Sequence, residues 1–298
     1  MEKMNLFKYY SFNANNLNAI LDRKFWFSHP SHFNDPFDAQ VSLSSAKDED
    51  FLQSLAECIG HVVGKEYADL DFVRLNLGEL KNGVDKHYNS PEDYEAPPFT
   101  KAFYGALDYF NLDRDVLINL LISKRREPEI TTFLATQAAL GITCFAGKGC
   151  DPNMWAHYGG NHQGFCVRYE LDTEKLPADI STYSVKYTDD PLKPEQVDGA
   201  IDKNVLCDQL STKAKRWESE GETRLISLTG CDKLIKLPVE VVGICFGNKM
   251  PLSEKKVMGR LYAHLLAEDQ FYSAKLNRQK QRMYWACRAS GFVEDYSD

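Results

Sequence analysis

Two rhythms of apolar residues divide the chain. LFKYYSF at 6–12 is short, apolar and aromatic, as a strand requires. NANNLNAILDRK follows, where Asn15 or Asn16 caps a short helix whose apolar face carries Leu17, Ile20 and Leu21. FWF at 25–27 predicts a second strand, stopped by Pro30. Asn34-Asp35-Pro36 predicts a turn, because an Asp before Pro is pushed out of the helical region. Between 43 and 140 the period becomes helical. In DEDFLQSLAECIGHVVGKEY, Phe51, Leu52, Leu55, Cys58, Ile59 and Val62 share one face, and DRDVLINLLISKRREPE and ITTFLATQAAL continue the pattern.

From 141 the strand rhythm returns. GITCFAG is apolar. HQGFCVRYEL alternates, with Phe165, Val167 and Tyr169 on one side and Cys166, Arg168 and Glu170 on the other. STYSVKYT, TRLISL, VEVVGICFG and QFYSAKLN are further strands, and PLSEKKVMGRLYAHLLAED is a helix. Strands around a helical block predict an α+β fold with an antiparallel or mixed sheet. The expected domains are a core built from 1–42 and 141–298 and a helical insertion or lobe at 43–140.

Charge and composition narrow the function classes. A net charge of −8 gives no global attraction to nucleic acid or to an anionic membrane. No apolar run approaches the roughly 18 residues of a membrane helix. MEKMNLFKYY lacks a signal peptide's apolar core and cleavage site, so the expected location is cytoplasmic, with no membrane partner. None of the eight cysteines forms a C-x-x-C pair, and in a reducing compartment they read as buried thiols. P-loop, H-E-x-x-H and G-x-S-x-G signatures are absent.

Three stretches carry candidate chemistry. Cys144, Cys150, His157 and His162 are zinc-ligand types, but C-x5-C-x6-H-x4-H lacks the tight cysteine pair of the usual zinc patterns, so no metal is assigned to them. In MWAHYGGNHQGFCVRYEL, Trp155 and Tyr158 share a helical face, and the glycine-rich corner runs through His162 into a strand. That is either a pocket wall for a planar ring or a hydrophobic mini-core. In KRWESEGETRLISL, Glu218, Glu220 and Glu222 alternate at strand period. Glu222 stands at the head of an apolar strand, a rigid position for an acid or base. Lys213, Lys215, Arg216 and Arg224 are cations able to keep a carboxylate ionised or to bind phosphate.

Together LFKYYSF, FWFSHPSHFNDPFD, the CFAG…MWAHYGGNHQGFCVRYEL block and KRWESEGETRLI resemble a bacterial domain-of-unknown-function family, number 2971. The likeness spans about 6–40 and 141–250. A more remote resemblance is to the ADP-ribosyltransferase fold, whose split antiparallel sheet grips NAD. That resemblance implies Tyr9 or Tyr10 from the first strand, Ser28 from the second, and Glu222 or Glu220 as the glutamate. The first-strand histidine or arginine of that fold has no counterpart in LFKYYSF. Tyr9, Tyr10 or Trp26 would stack on a ring, Asn34 and Asp35 would bond ribose hydroxyls, and His29 and His32 would serve phosphates or an acceptor.

Three functions follow as expectations. The first is an NAD-dependent ADP-ribosyltransferase-like enzyme, a toxin or phage-defence effector, with NAD as substrate and a protein or nucleic acid as acceptor. The second is a non-catalytic sensor for a nucleotide-type small molecule. The third is a metal-assisted hydrolase or nuclease.

Overall fold

The computed structural model describes residues 3–35, 38–39, 43–44, 140–190, 195–196, 203–280, 282–287 and 293–294, with short pieces between 55 and 139. In chain order the elements are β1 (Lys3–Tyr10), α1 (Ala14–Asp22), β2 (Lys24–Phe27), β3 (Leu43–Ser44), β4 (Gly141–Phe145), α2 (Pro152–His157), β5 (Phe165–Asp172), β6 (Ile180–Ser184), β7 (Lys186–Thr188), β8 (Glu195–Gln196), α3 (Lys203–Gln209), β9 (Thr212–Ala214), β10 (Thr223–Ser227), β11 (Lys233–Lys236), β12 (Val239–Phe246), α4 (Leu252–Leu261), β13 (Phe271–Asn277), β14 (Arg282–Cys287) and β15 (Val293–Glu294). The fold is α+β. It divides into two compact units: Met1–Phe33 with Gly141–Tyr187 and Lys213–Asp298, and Asn34–Leu140 with Thr188–Thr212.

In the first unit a mixed six-stranded sheet runs in the order β1-β5-β12-β13-β14-β15. Its pairs are antiparallel except β12 with β13. A second, antiparallel sheet has the order β4-β10-β6, and β11 pairs with β2. Two isolated bridges tie these pieces together through β4, Phe7 with Ala146 and Ser28 with Ile142. The end of β4 is thereby fixed beside β1, and its start beside the residue after β2.

Strand parity explains how both faces of the large sheet are covered. Leu6 and Tyr10 of β1 join Phe165, Val167, Tyr169 and Leu171 of β5 in one apolar core. Phe7 and Tyr9, one residue out of phase, join Cys166, Trp155 and Trp285 in another. The alternation expected for Phe165, Val167 and Tyr169 is therefore the observed one. Fully burying each such side chain is worth about 1.5–3 kcal/mol.

Some local details depart from the sequence expectation. Asn13, rather than Asn15 or Asn16, caps α1: its backbone is extended and its side chain accepts from the Asn16 N–H at 2.9 Å. The helix at 252 stops at Leu261 instead of running to 269, and its last turns give way to a short 3-10 helix at Glu268–Gln270. Glu218 and Glu220 lie on a 3-10 helix, Lys215–Glu220, instead of alternating along a strand.

In the second unit β3 pairs in parallel with β8. Leu55, Cys58 and Ile59 are helical and fully buried, as their spacing predicts. Phe51, Leu52 and Val62, and most of the two later helical stretches, lie outside the described residues.

Candidate functional site

Four charged side chains from one short segment, 213–224, are buried together. Lys213 is 6%, Glu220 5%, Glu222 6% and Arg224 0% exposed. Lys213 Nζ lies 2.5 Å from Glu220 Oε2 and 2.9 Å from Glu222 Oε2. Arg224 donates to both oxygens of Glu222, from Nε at 2.8 Å and from Nη2 at 3.2 Å. Such burial is tolerable only because every charge has a close opposite partner.

The backbone of this segment explains the clustering. Gly221 takes a left-handed conformation, φ 52°, which ends the 3-10 helix and turns Glu220 and Glu222 toward the same lysine. A Cβ on Gly147 would lie 2.7 Å from the Gly221 carbonyl oxygen, so glycine is needed there for the chain after β4 to pass the turn. The hydroxyl of Tyr187 accepts from the Glu222 N–H at 2.7 Å, and Tyr158 donates to Glu220 Oε1 at 3.2 Å.

The two carboxylates are electrostatically unlike. Burial pushes Glu222 up, but the Arg224 guanidinium and the Lys213 ammonium outweigh it and hold the carboxyl at about 2. Burial also pushes Glu220 up; Lys213 opposes this, but Glu222 adds repulsion and the net direction is upward. One carboxylate thus stays ionised through the ordinary pH range, while its neighbour takes a proton more readily than a free glutamate.

Beside this cluster a cleft of about 820 Å³ opens between β1, α1, β2 and β4. Its walls include Lys8, Tyr10, Trp26, Ser28, Phe33 and Cys144. Lys8 donates to the Cys144 carbonyl at 2.7 Å and to Thr143 Oγ1 at 3.2 Å, and burial pulls its pKa down. Cys144 and Arg224 are register partners across β4 and β10, and the Cys144 side chain bonds to Glu222. On the other side Phe33 stacks on the Arg224 guanidinium, 5.5 Å from ring centre to Cζ. Cys144 and Phe33 are therefore the layer between cleft and charge cluster.

The expected site residues separate into groups. Glu220, Glu222, Arg224 and Tyr158 come together in the buried cluster. Tyr10, Trp26 and Ser28 line the cleft. Tyr9 faces the opposite side of β1: its hydroxyl donates to the Lys148 carbonyl at 2.8 Å and its ring meets Trp155 edge-on. Trp155 is fully buried, with its indole N–H on the Gly149 carbonyl. His162 sits in the left-handed corner before β5, and its Nδ1 is buried without a partner. Asn34 and Asp35 belong to the second unit. In the histidine pair, His29 accepts from the Ser31 N–H, its own N–H donates to Asp232, and His32 Nδ1 lies 3.4 Å from Asp232. These bonds staple the turn after β2. Among the described residues, no three His, Cys, Asp or Glu side chains form a group able to hold a metal, Cys144, Cys150, His157 and His162 included. No described helix is long and apolar enough to cross a membrane.

Lys8, Phe33 and Tyr187 were not among the expected site residues, and Lys213 was expected only as a nearby cation. A signal for Lys8 exists: it shares pleat parity with Leu6 and Tyr10 in an apolar strand.

Residues 154–225 match a family model described as Protein of unknown function (DUF2971). The DUF2971 span holds the whole charge cluster, with Tyr158 and Tyr187, whereas the cleft walls from β1, β2 and β4 lie outside it. No curated protein and no solved structure matches the chain.

Proposed function

We propose that the cleft binds a nucleotide-type small molecule and that the protein acts on NAD as an ADP-ribosyltransferase-like enzyme. The observation that carries this reading is convergence. Lys8 of β1, Ser28 after β2 and Cys144 of β4 line one cleft, and Cys144 bonds to Glu222 at the head of β10. In this reading Tyr10, joined by Lys8, serves as the first-strand residue that the resemblance implies, Ser28 as the second and Glu222 as the late-strand glutamate, which meets the cleft through Cys144.

The cleft suits such a ligand. Its volume lies within the range of about 300–1,000 Å³ typical of ligand pockets. Trp26 and Phe33 offer ring faces, and Asn15, Asn16, Asn18 and Ser28 offer polar edges. When NAD loses nicotinamide, positive charge develops on the ribosyl carbon, and an ionised Glu222 nearby would stabilise it. Glu220, with its raised pKa, is the better group to take a proton from an acceptor.

A second reading has its own support. Neither glutamate lines the cleft, and both oxygens of Glu222 are held by cations. A binding module that keeps the cluster as structure would look the same. Incubation with NAD and measurement of free nicotinamide decides between them. Release that Glu222→Gln abolishes in a folded variant supports the enzyme. Thermal stabilisation by NAD or ADP-ribose without release supports the sensor. Neither release nor stabilisation would remove both.

A further inference from the structure

A smaller pocket of about 300 Å³ adjoins the cleft and shares Asp22 and Lys24 with it. Its other walls are Leu21, Arg23 and Lys236. We propose that this pocket is a phosphate subsite, which takes the phosphate groups of a nucleotide whose ring lies in the cleft. The inference deepens the cleft reading and rests on it.

The charge arrangement is one the fold itself does not favour. Lys24 and Lys236 are register partners, directly opposite each other across β2 and β11. Like charges in that position destabilise a strand pair. Arg23 adds a third cation beside them. Its backbone is left-handed, φ 55°, an uncommon conformation for a residue with a side chain. Asp22 offsets only part of this charge, through Lys24 Nζ at 3.2 Å. Among the described residues Arg23 and Lys236 have no carboxylate partner. An anion with several oxygens would relieve the repulsion and satisfy all three donors.

The cations are also held in place by backbone. The Arg23 N–H donates to the carbonyls of Ala19 and Ile20, closing α1. Its carbonyl accepts from the Leu237 N–H at 3.0 Å. The helix end, the start of β2 and the end of β11 therefore form one fixed corner. Next to it, on the cleft side, Trp26 and Leu234 are cross-strand partners, 51% and 56% exposed. A ring platform beside a three-cation corner is the shape that a nucleotide's base and phosphates require.

The test uses ADP and adenosine as probes in calorimetric titrations at low and physiological salt. ADP is expected to bind at least about ten-fold tighter than adenosine, with the difference shrinking as salt rises. In Arg23→Gln/Lys236→Gln, whose side chains line the pocket and not the cleft, ADP should fall to within about two-fold of adenosine, while adenosine affinity holds and the melting temperature does not fall. Equal affinities for the two probes in the unmodified protein would overturn the subsite and leave the cleft reading standing. So would equal loss of both in the double variant. If neither probe binds, the cleft reading falls and the subsite falls with it.

Discussion

Arg224 reaches back over two residues to grip both carboxylate oxygens of Glu222, and the pair sits in the interior at 0% and 6% exposure. A bidentate pair of this kind is stronger than a single charged contact, but only while both members are present. Removing one strands the other. Arg224→Ala is expected to cost about 3–5 kcal/mol, because the Glu222 carboxylate is left buried without its bidentate partner. Arg224→Ala combined with Glu222→Gln should cost clearly less than the sum of the single changes. Urea unfolding of the four proteins measures both values, and additive losses would show that the pair is not coupled.

The depressed Glu222 pKa fixes a pH window. Its folded value is about 2, against 4.5 for a free glutamate. A carboxyl with a lowered folded pKa contributes stability above its unfolded pKa and loses it as pH falls toward the folded one. Stability is therefore expected to drop by about 3 kcal/mol between pH 4.5 and 2 from this group. Glu220 has the opposite sign, since its raised pKa makes protonation favour the folded state. Unfolding midpoints followed down in pH should show a shallower acid loss in Glu222→Gln and a steeper one in Glu220→Gln.

Gly221 supplies a conformational test of the same cluster. Its φ is 52°, and an added Cβ would have only Gly147 atoms near it, at 3.9 Å. The cost of Gly221→Ala is thus backbone strain without a clash, about 1–2 kcal/mol. Gly221→Asn should cost less than Gly221→Val, since asparagine tolerates the left-handed region and a β-branched residue does not. Gly147→Ala meets the Gly221 carbonyl at 2.7 Å and should be worse than Gly221→Ala. Equal melting temperatures across this series would contradict the geometry.

Trp26 separates binding from stability. Half of its surface is exposed, so Trp26→Ala should cost about 1 kcal/mol of unfolding free energy, well short of the loss of a fully buried ring. Thermal stabilisation by ADP-ribose should nonetheless be lost, because the platform at the cleft mouth is gone. Undiminished stabilisation would remove Trp26 from the ligand contact.

The cap of α1, a wall of the cleft, can be checked directly. Asn13→Ala is expected to cost about 1 kcal/mol, because the Asn16 N–H loses its acceptor. Asn15→Ala, with no capping bond to lose, should leave the melting temperature close to unchanged.

Where the site could be read from sequence, the reason is local. Lys213, Glu220, Glu222 and Arg224 stand close along the chain, so a turn at Gly221 is enough to gather them. Tyr9 shows the opposite case. β1 is buried on both faces, so alternation could not tell which face meets a cleft. Lys8 and Tyr10 meet it, and Tyr9 packs against Trp155 on the other side. Trp155 and Tyr158 look like one aromatic wall at helical spacing, yet the first is core and the second holds Glu220.

The sequence by itself determined most of the long strands of the first unit, though not β9, β11 or β14, the parity along β5, and a short run, 213–224, that carries three acids and four cations. Those follow from periodicity, turn chemistry and short-range spacing. Only the tertiary structure decided that Cys144 bonds to Glu222, that Lys8 and Ser28 share a cleft, and that Lys24 faces Lys236. Each of these depends on pairing between strands far apart in the chain. A one-residue change of register would reverse every side chain involved, and the core packing of both sheet faces selects the register that is observed.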